Sequence, residues 1–340
     1  MLNQKEICNL EYVSCPRCGS KENRLVVSGL DRLHKIPGEY YAVECCNCYF
    51  WFQNPRPVAS HLPNLYPSEY LPHQKPTSSK IGYGKLKYLN HKLKYKIDES
   101  EAETKNKTGW HQLKIFDFIR GWLIGVELIP SFVPGGKLLE IGCASGGRLL
   151  SLRSLGWEHL YGIELVKEAA QRANAEGFNI VNGQVEDTLN QYPDAYFDVI
   201  ISSMVIEHLY NPFQMTHLIA SKLIPGGQFL FSTVVRDGLD AKIFRDYWSG
   251  FDFPRHMVYF KKNDLLGMLK NQFENIHLFH QNAPIDFVRP AISRKEEGKG
   301  SIKDSLILAL ARSPFSYMFG LILAWMKLTC RVSIHCKKRK

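Results

Sequence analysis

The chain has 340 residues, 45% apolar and 22% charged, a length that allows one large or two smaller cores and a composition ordinary for a globular protein. Its net charge of +10 is uneven: Tyr70–Ile97 carries seven lysines and Ser305–Lys340 seven lysines and arginines, neither with an acid, so the remainder is net acidic. This distribution argues against a broad nucleic-acid-binding surface and leaves two local basic segments. Met1–Leu10 contains Lys5 and Glu6 without a long apolar run. No secretory leader is therefore expected, and cysteines that do not suggest disulfides point to the cytoplasm.

Cys15-Pro-Arg-Cys18 and Cys45-Cys-Asn-Cys48 form two C-x₂-C knuckles. Each places two thiolates on one tight turn, and together they complete a tetrahedral zinc site with Zn–S bonds of about 2.3 Å. The strand-like residues between them, Leu25–Val27 and Tyr40–Val43, fit a zinc ribbon. Four protein ligands close the site, so its zinc is expected to be structural. Cys8 and Cys46 stand outside the set. Next come Tyr49-Phe-Trp-Phe-Gln-Asn-Pro-Arg-Pro57, Leu65-Tyr66 and Tyr70, which place the end of this unit near residue 70.

Residues 71–110 are rich in Lys, Ser and Asn and contain Pro72, Pro76, Gly82 and Gly84. They read as a linker followed by a basic helix, with Leu86, Leu89, Leu93 and Ile97 at helical spacing. That helix is either a solvated face or one attracted to phosphates on a substrate or lipid headgroup. His111–Ile129 predicts an apolar helix packed on the first strand of the next domain, ended by Pro130, Pro134 and Gly135-Gly136.

Lys137–Ile141 is a short apolar run holding one acid, Glu140; Gly142-Cys-Ala-Ser-Gly146 turns, and Leu149, Leu150, Leu152 and Leu155 open a helix. That is a strand, a tight turn and a helix N-terminus, where backbone approaches a ligand closely. A second run, Leu160–Ile163, ends in Glu164, roughly twenty residues past the turn, where an acid accepts hydrogen bonds from both ribose hydroxyls. Phe197–Ser203 reads as a buried strand followed by Met204-Val-Ile-Glu207-His208-Leu209. A helical stretch then ends at Pro225-Gly226-Gly227, with a strand at Gln228–Thr233.

From Pro134 to His280 this succession resembles the class I S-adenosylmethionine (SAM)-dependent methyltransferases, with Glu-His after the fourth strand and Pro-Gly-Gly before the fifth separating it from dehydrogenases. The resemblance implies an α/β, Rossmann-like domain whose mostly parallel seven-stranded sheet carries helices on both faces. It also implies SAM as cofactor: the turn Gly142–Gly146 would hold the methionyl part, Glu140 the amino group through water, Glu164 the ribose, and Gln184 the adenine amino group. Ala144 departs from the glycine usual at that position. The two knuckles with the Asn54-Pro-Arg-Pro57 turn further resemble a branch with an N-terminal zinc ribbon, found in bacterial sugar and cell-surface glycan pathways; Tyr49 stands where that branch usually has glycine.

Asp237–Phe260 would be the substrate insertion. Trp248 and Asp252-Phe-Pro-Arg255-His256 match positions of the same branch, and an exposed aromatic cluster with Arg255 suits a sugar ring and a diphosphate; the alternative is a packed loop whose Arg and His satisfy backbone carbonyls. Methyl transfer requires donor and acceptor held in line and a proton removed. His208, His256 and Glu207 are the candidates for that proton.

Beyond His280 the resemblance thins. Ala291–Gly300 reads as a charged loop, Leu306–Ala311 and Phe315–Met326 as apolar helices each too short to span a bilayer, and Arg331–Lys337 as a last strand. Lys337-Lys-Arg-Lys340 behind an apolar helix also permits peripheral contact with the inner face of a membrane. The expected organisation is a zinc ribbon over 1–70, a basic linker over 71–110, a methyltransferase domain over 111–290 with its insertion at 237–260, and C-terminal helices with a basic tail over 291–340. The expected activity is SAM-dependent methylation of a nucleotide- or lipid-linked sugar in glycan synthesis. The alternatives are a quinone-like phenol as acceptor, or RNA guided by the ribbon; a non-enzymatic adaptor is disfavoured by the intact Gly142, Gly146 and Glu164.

Overall fold

A computed structural model of the chain describes residues 9–66, 89–90, 92–96, 128–313 and 315–340. Near its N-terminus β1 (Leu10–Glu11) pairs with β5 (Arg56–Pro57), and β2 (Asn23–Gly29), β3 (Tyr40–Cys45) and β4 (Trp51–Gln53) form an antiparallel ribbon. Tyr49, which turns the chain between the second knuckle and β4, has φ of 59°, the left-handed region that explains why glycine suits this position.

The aliphatic runs between glycine turns become β6 (Lys137–Ile141), β7 (His159–Glu164), β8 (Asn179–Asn182), β9 (Phe197–Ser203) and β10 (Leu223–Val234). With β12 (Phe273–His280) and β13 (Arg331–Lys338) they make one sheet in the order β12-β13-β10-β9-β6-β7-β8. Neighbours from β8 to β10 are parallel, and β13 runs antiparallel to both β10 and β12. Alternation along these strands sorts side chains to two faces. Leu139, Ile141, Ile200, Phe229 and Phe231 face a core shared with Phe50 and Phe52 of the ribbon. Leu138, Val199, Ile201 and Leu230 face a second core with Leu149 and Trp157. Tyr95 closes that second core, its hydroxyl donating to the Pro130 carbonyl. Most of the expected basic helix and of the helix over 111–129 lies outside the described residues.

Two segments differ from their sequence reading. β10 begins at Leu223 and runs through Pro225-Gly226-Gly227, its pairing to β9 interrupted between Leu223 and Gln228. The expected charged loop after Ala291 is, through Glu296, the end of the helix Ile285–Glu296. Arg294 anchors it by donating to the carbonyls of Ile243 and Phe244 and pairing with Asp304. The expected last strand at Arg331–Lys337 is present as β13, inside the central sheet.

The insertion is the largest correction. Phe244, Trp248, Phe251 and Phe253 are buried in a third cluster with Tyr40 of the ribbon, and Trp248 donates its indole N–H to Asp240. Within the insertion β11 (Val258–Tyr259) pairs with β4, so the ribbon sheet runs β11-β4-β3-β2. The aromatics therefore weld insertion to ribbon instead of offering a sugar platform, because their apolar area is satisfied by each other. Arg255 is likewise no exposed phosphate ligand. It is 1% exposed, and its guanidinium makes two bonds of 2.9 Å to Asp31, bonds of 2.7 and 3.1 Å to Asp252, and one to the Phe253 carbonyl. Burial alone would raise the Asp252 pKa, but the Arg255 charge overrides it and holds it at about 2.

Arg255→Ala would leave Asp31 and Asp252 facing each other without a cation. It is expected to destabilise the fold by about 3–5 kcal/mol in urea unfolding. A loss below about 1 kcal/mol would show that the clamp is not structural. Since Asp252 is depressed in the folded state, its contribution is complete above the ordinary carboxylate range and fades as pH falls towards 2.

Candidate active site

The loop after β6 brings the donor-side residues together. Gly142 has φ of 71°, and a side chain there would put Cβ 2.5 Å from Val205, so only glycine fits. Gly146, with φ of 86°, starts the helix Gly147–Ser154 against the Phe178 ring. Ala144 also lies in the left-handed region, at φ of 49°. Its N–H donates to Glu164 Oε2 at 2.8 Å, and the Val166 N–H donates to Oε1 at 2.8 Å. These bonds fix the Glu164 carboxylate at the end of β7, while burial pushes its pKa up.

Glu140 is buried at the end of β6. Its Oε1 accepts from Arg148 Nε at 2.9 Å, whereas Oε2 is buried with no hydrogen-bond partner among the described residues. Burial, only partly offset by Arg148, raises its pKa to about 7. Gln184, capping the short helix Val185–Thr188, lines the same cavity and donates to the Ala59 carbonyl at 3.3 Å.

That cavity has a volume of ≈ 1190 Å³ and is continuous from Glu140 and Glu164 to His208 and His256. The volume exceeds the roughly 300–1,000 Å³ usual for one small ligand, so two can be held side by side. The ribbon closes part of it through Leu33, His34, Leu62 and Tyr66. The residues present fit SAM: the orphan buried oxygen of Glu140 would accept from its ammonium group, the Glu164 carboxylate at the end of β7 would meet the ribose, and the backbone of Gly142 and Ala144 lines the same cavity.

At the other end of the cavity, His208 follows β9 on the 3₁₀ turn Ile206–His208 and His256 comes from the insertion, with ring centroids 4.6 Å apart. His208 Nδ1 lies 2.9 Å from the Arg255 carbonyl and 3.2 Å from the Tyr66 hydroxyl; His256 Nδ1 lies 2.8 Å from the Gly250 carbonyl. A carbonyl only accepts, so each ring carries its proton on Nδ1 and a lone pair on Nε2. Burial and the neighbouring His256 lower the His208 pKa to about 4, and burial also lowers that of His256. Both rings are therefore neutral near pH 7. Glu207 is fully buried, its Oε2 accepting from Thr233 at 2.7 Å and its Oε1 lying 4.0 Å from His256 Nε2. Asp252 Oδ2 is 3.8 Å from the same nitrogen. Ligand atoms of Glu207, His208 and His256 all lie within 4.8 Å of one another.

The structure thus brings His208, His256, Glu140, Gly142, Glu164 and Gln184 to one cavity, with Glu207 buried behind the histidines and Gly146 behind the turn. Trp248 and Arg255 are not in its wall. Tyr66 and Arg148 were missed as site residues. Arg148 was detectable as the cation opening the helix after Glu140, but nothing in the local sequence signals the long-range meeting of Tyr66 with His208.

In the ribbon, Cys15, Cys18, Cys45 and Cys48 have sulfurs within 4.8 Å of one another, with the Cys15–Cys48 and Cys18–Cys45 pairs at 3.5 Å. Four thiolates tetrahedral about Zn²⁺ at about 2.3 Å stand close to this far apart, so the cluster fits the ion.

A parallel sheet reversed only at β13 among the described residues, a glycine turn after β6 and an acid ending β7 define the class I SAM-dependent methyltransferase fold. A family model described as a methyltransferase domain matches residues 110–278. The ubiquinone biosynthesis O-methyltransferase of Klebsiella pneumoniae is 30% identical over 110 residues, 31% of this chain and 45% of that protein. The ribosomal protein L11 methyltransferase of Shewanella piezotolerans is 32% identical over 141 residues, 40% of this chain and 45% of that protein. The matched region thus spans a little under half of each of these relatives. A solved SAM-dependent methyltransferase from Archaeoglobus fulgidus superposes with a TM-score of 0.44 at 21% identity, covering 66% of this chain and all of the other.

Two outcomes test this geometry. Ala144→Gly should relieve the left-handed strain and raise stability by about 0.5–1 kcal/mol in thermal unfolding; a lower melting temperature would refute the strained turn. Metal analysis should find about one zinc per chain, and Cys18→Ser or chelation should unfold the ribbon. A metal-free protein with unchanged near-ultraviolet dichroism would exclude the zinc site.

Proposed function

We propose that this chain is a SAM-dependent methyltransferase with a structural zinc in its ribbon, acting on a hydroxyl of a small, quinone-like phenol. The observation that carries this reading is the single cavity joining Glu140 and Glu164 to two imidazoles whose Nε2 lone pairs are kept available. SAM, when bound, supplies an electrophilic methyl group on a sulfonium. Glu140 and the helix after Gly146 hold and orient its methionyl end, and Glu164 its ribose. His256 takes the acceptor's hydroxyl proton at Nε2, with Asp252 and Glu207 beside that nitrogen to stabilise the imidazolium. His208, tied to the Arg255 carbonyl and Tyr66, positions the acceptor against it.

The class of acceptor follows from base strength. Imidazoles with depressed pKa values are weak bases. They match a phenolic hydroxyl, with a pKa of about 10, better than a far less acidic sugar hydroxyl. The quinone-pathway relative supports the same choice, whereas neither relative described above is named for a sugar acceptor.

Calorimetry should show SAM binding that Glu164→Ala weakens by about 2–4 kcal/mol; unchanged affinity would overturn the donor site. Offered a catechol and a nucleotide sugar, the enzyme should methylate the catechol. Transfer to the sugar alone would leave methyl transfer standing and overturn the acceptor class. His256→Ala should lower kcat by about 10²–10⁴ with SAM affinity preserved. The acid limb of kcat should fall below the ordinary imidazole range, because both rings stay neutral to lower pH.

A further inference from the structure

The C-terminal helices Ile302–Arg312 and Ser316–Trp325 hold a surface that methyl transfer does not use. A helix docked on a globular core normally turns its apolar stripe inward and presents a polar face outward. The inward side here is conventional: Gly320, Leu323 and Ala324 are buried, and Phe319 meets Phe287 of the supporting helix edge-on. The outward side is apolar as well. Phe315, Met318, Ile322 and Trp325, spaced three and four apart, are each at least half exposed, Trp325 to 75%. On the preceding helix Ile302 and Leu306 are also exposed, at 81% and 65%. Scattered apolar side chains are ordinary on protein surfaces, but a contiguous row at helical spacing marks a contact surface.

The charges around the row indicate what covers it. Lys303 and Arg312 on the first of the two helices and Lys327 just after the second are exposed. The one acid from Ile302 to the C-terminus, Asp304, is buried, capping its own helix with Ser301 and pairing with Arg294. Two copies of this face pressed together would oppose cation to cation, whereas an anionic lipid surface satisfies apolar row and cations together. Among the described residues no single helix is long and apolar enough to cross a membrane, and the two helices are bent by 108° at their junction. Their geometry suits lying in the interface, where Trp and Tyr such as Trp325 and Tyr317 settle at headgroup level.

We propose that this helix pair is a docking surface for anionic membranes, its outer apolar row entering the headgroup–acyl boundary while Lys303, Arg312 and Lys327 meet lipid phosphates. The proposal does not depend on the identity of the methyl acceptor.

Flotation of the full chain with phosphatidylcholine vesicles, with and without phosphatidylglycerol, tests it. The chain should float with the phosphatidylglycerol vesicles. The triple variant Met318→Ser, Ile322→Ser, Trp325→Ser should lower the bound fraction at least about tenfold at an unchanged melting temperature, since these side chains are exposed. Lys303→Gln, Arg312→Gln, Lys327→Gln should abolish the preference for phosphatidylglycerol. Failure of the unmodified chain to float, or flotation indifferent to the triple variant, would overturn the proposal. So would a concentration-dependent dimer in lipid-free buffer that the triple variant dissolves without any vesicle binding, which would make the face a self-association surface.

Discussion

The buried ion cluster of Arg255 with Asp31 and Asp252 is the constraint on which the acceptor half of the site depends. Its guanidinium spans a loop of the ribbon and a turn of the insertion, two segments more than two hundred residues apart in sequence. Charges taken out of water are tolerated only when paired and hydrogen-bonded, and here the guanidinium is met on both sides. The backbone of the same residue accepts the Nδ1 proton of His208, and the next residue is His256. One clamped side chain therefore sets the positions of both imidazoles. This also explains why a guanidinium beside the site is no substrate ligand: its donors are already committed.

The donor half relies on a different balance. Glu140 and Glu164 are held in low-polarity surroundings that raise their pKa values, but each keeps a fixed set of donors: Arg148 for the first, the Ala144 and Val166 N–H groups for the second. A rigid, poorly solvated carboxylate interacts strongly with a cationic or hydroxyl-bearing ligand because it needs no reorganisation when that ligand arrives. The left-handed residues Gly142, Ala144 and Gly146 shape the turn in which the Ala144 N–H reaches Glu164. Local strain and carboxylate placement are thus one feature.

The C-terminal strand ties the two halves to the surface helices. β13 inserts between β10 and β12, so the chain passes through the helix pair at 302–325 before it returns to the sheet. Arg331, at the start of that strand, pairs with Asp286 of the helix carrying the pair, and both residues also line the cavity. The exposed apolar row and the reaction cavity are consequently borne by the same small set of elements.

Much of the donor half was legible in the sequence because its signals are local. A strand, a glycine turn, a helix start and an acid at the next strand end follow from short-range backbone chemistry, and two C-x₂-C knuckles announce their own geometry. A parallel sheet was likewise readable from the alternation of apolar runs with helices between Lys137 and about Val235, while its count of seven strands came from the resemblance to the methyltransferases. The acceptor half was not. Trp248 and Arg255 look like ligands when read along the chain, since an aromatic and a cation beside a histidine carry the same local pattern whether they face solvent or core. Their fate was decided by Tyr40 and Asp31, which pack against the insertion from the far end of the sequence. The Tyr66–His208 contact and the orphan oxygen of Glu140 are of the same kind. The sequence by itself determined the fold, the two cysteine turns and the acids and glycines at the strand ends, where neighbours in the chain are neighbours in space. Only the tertiary structure decided which polar side chains remain available to a substrate, because burial and pairing depend on partners that chain order does not reveal.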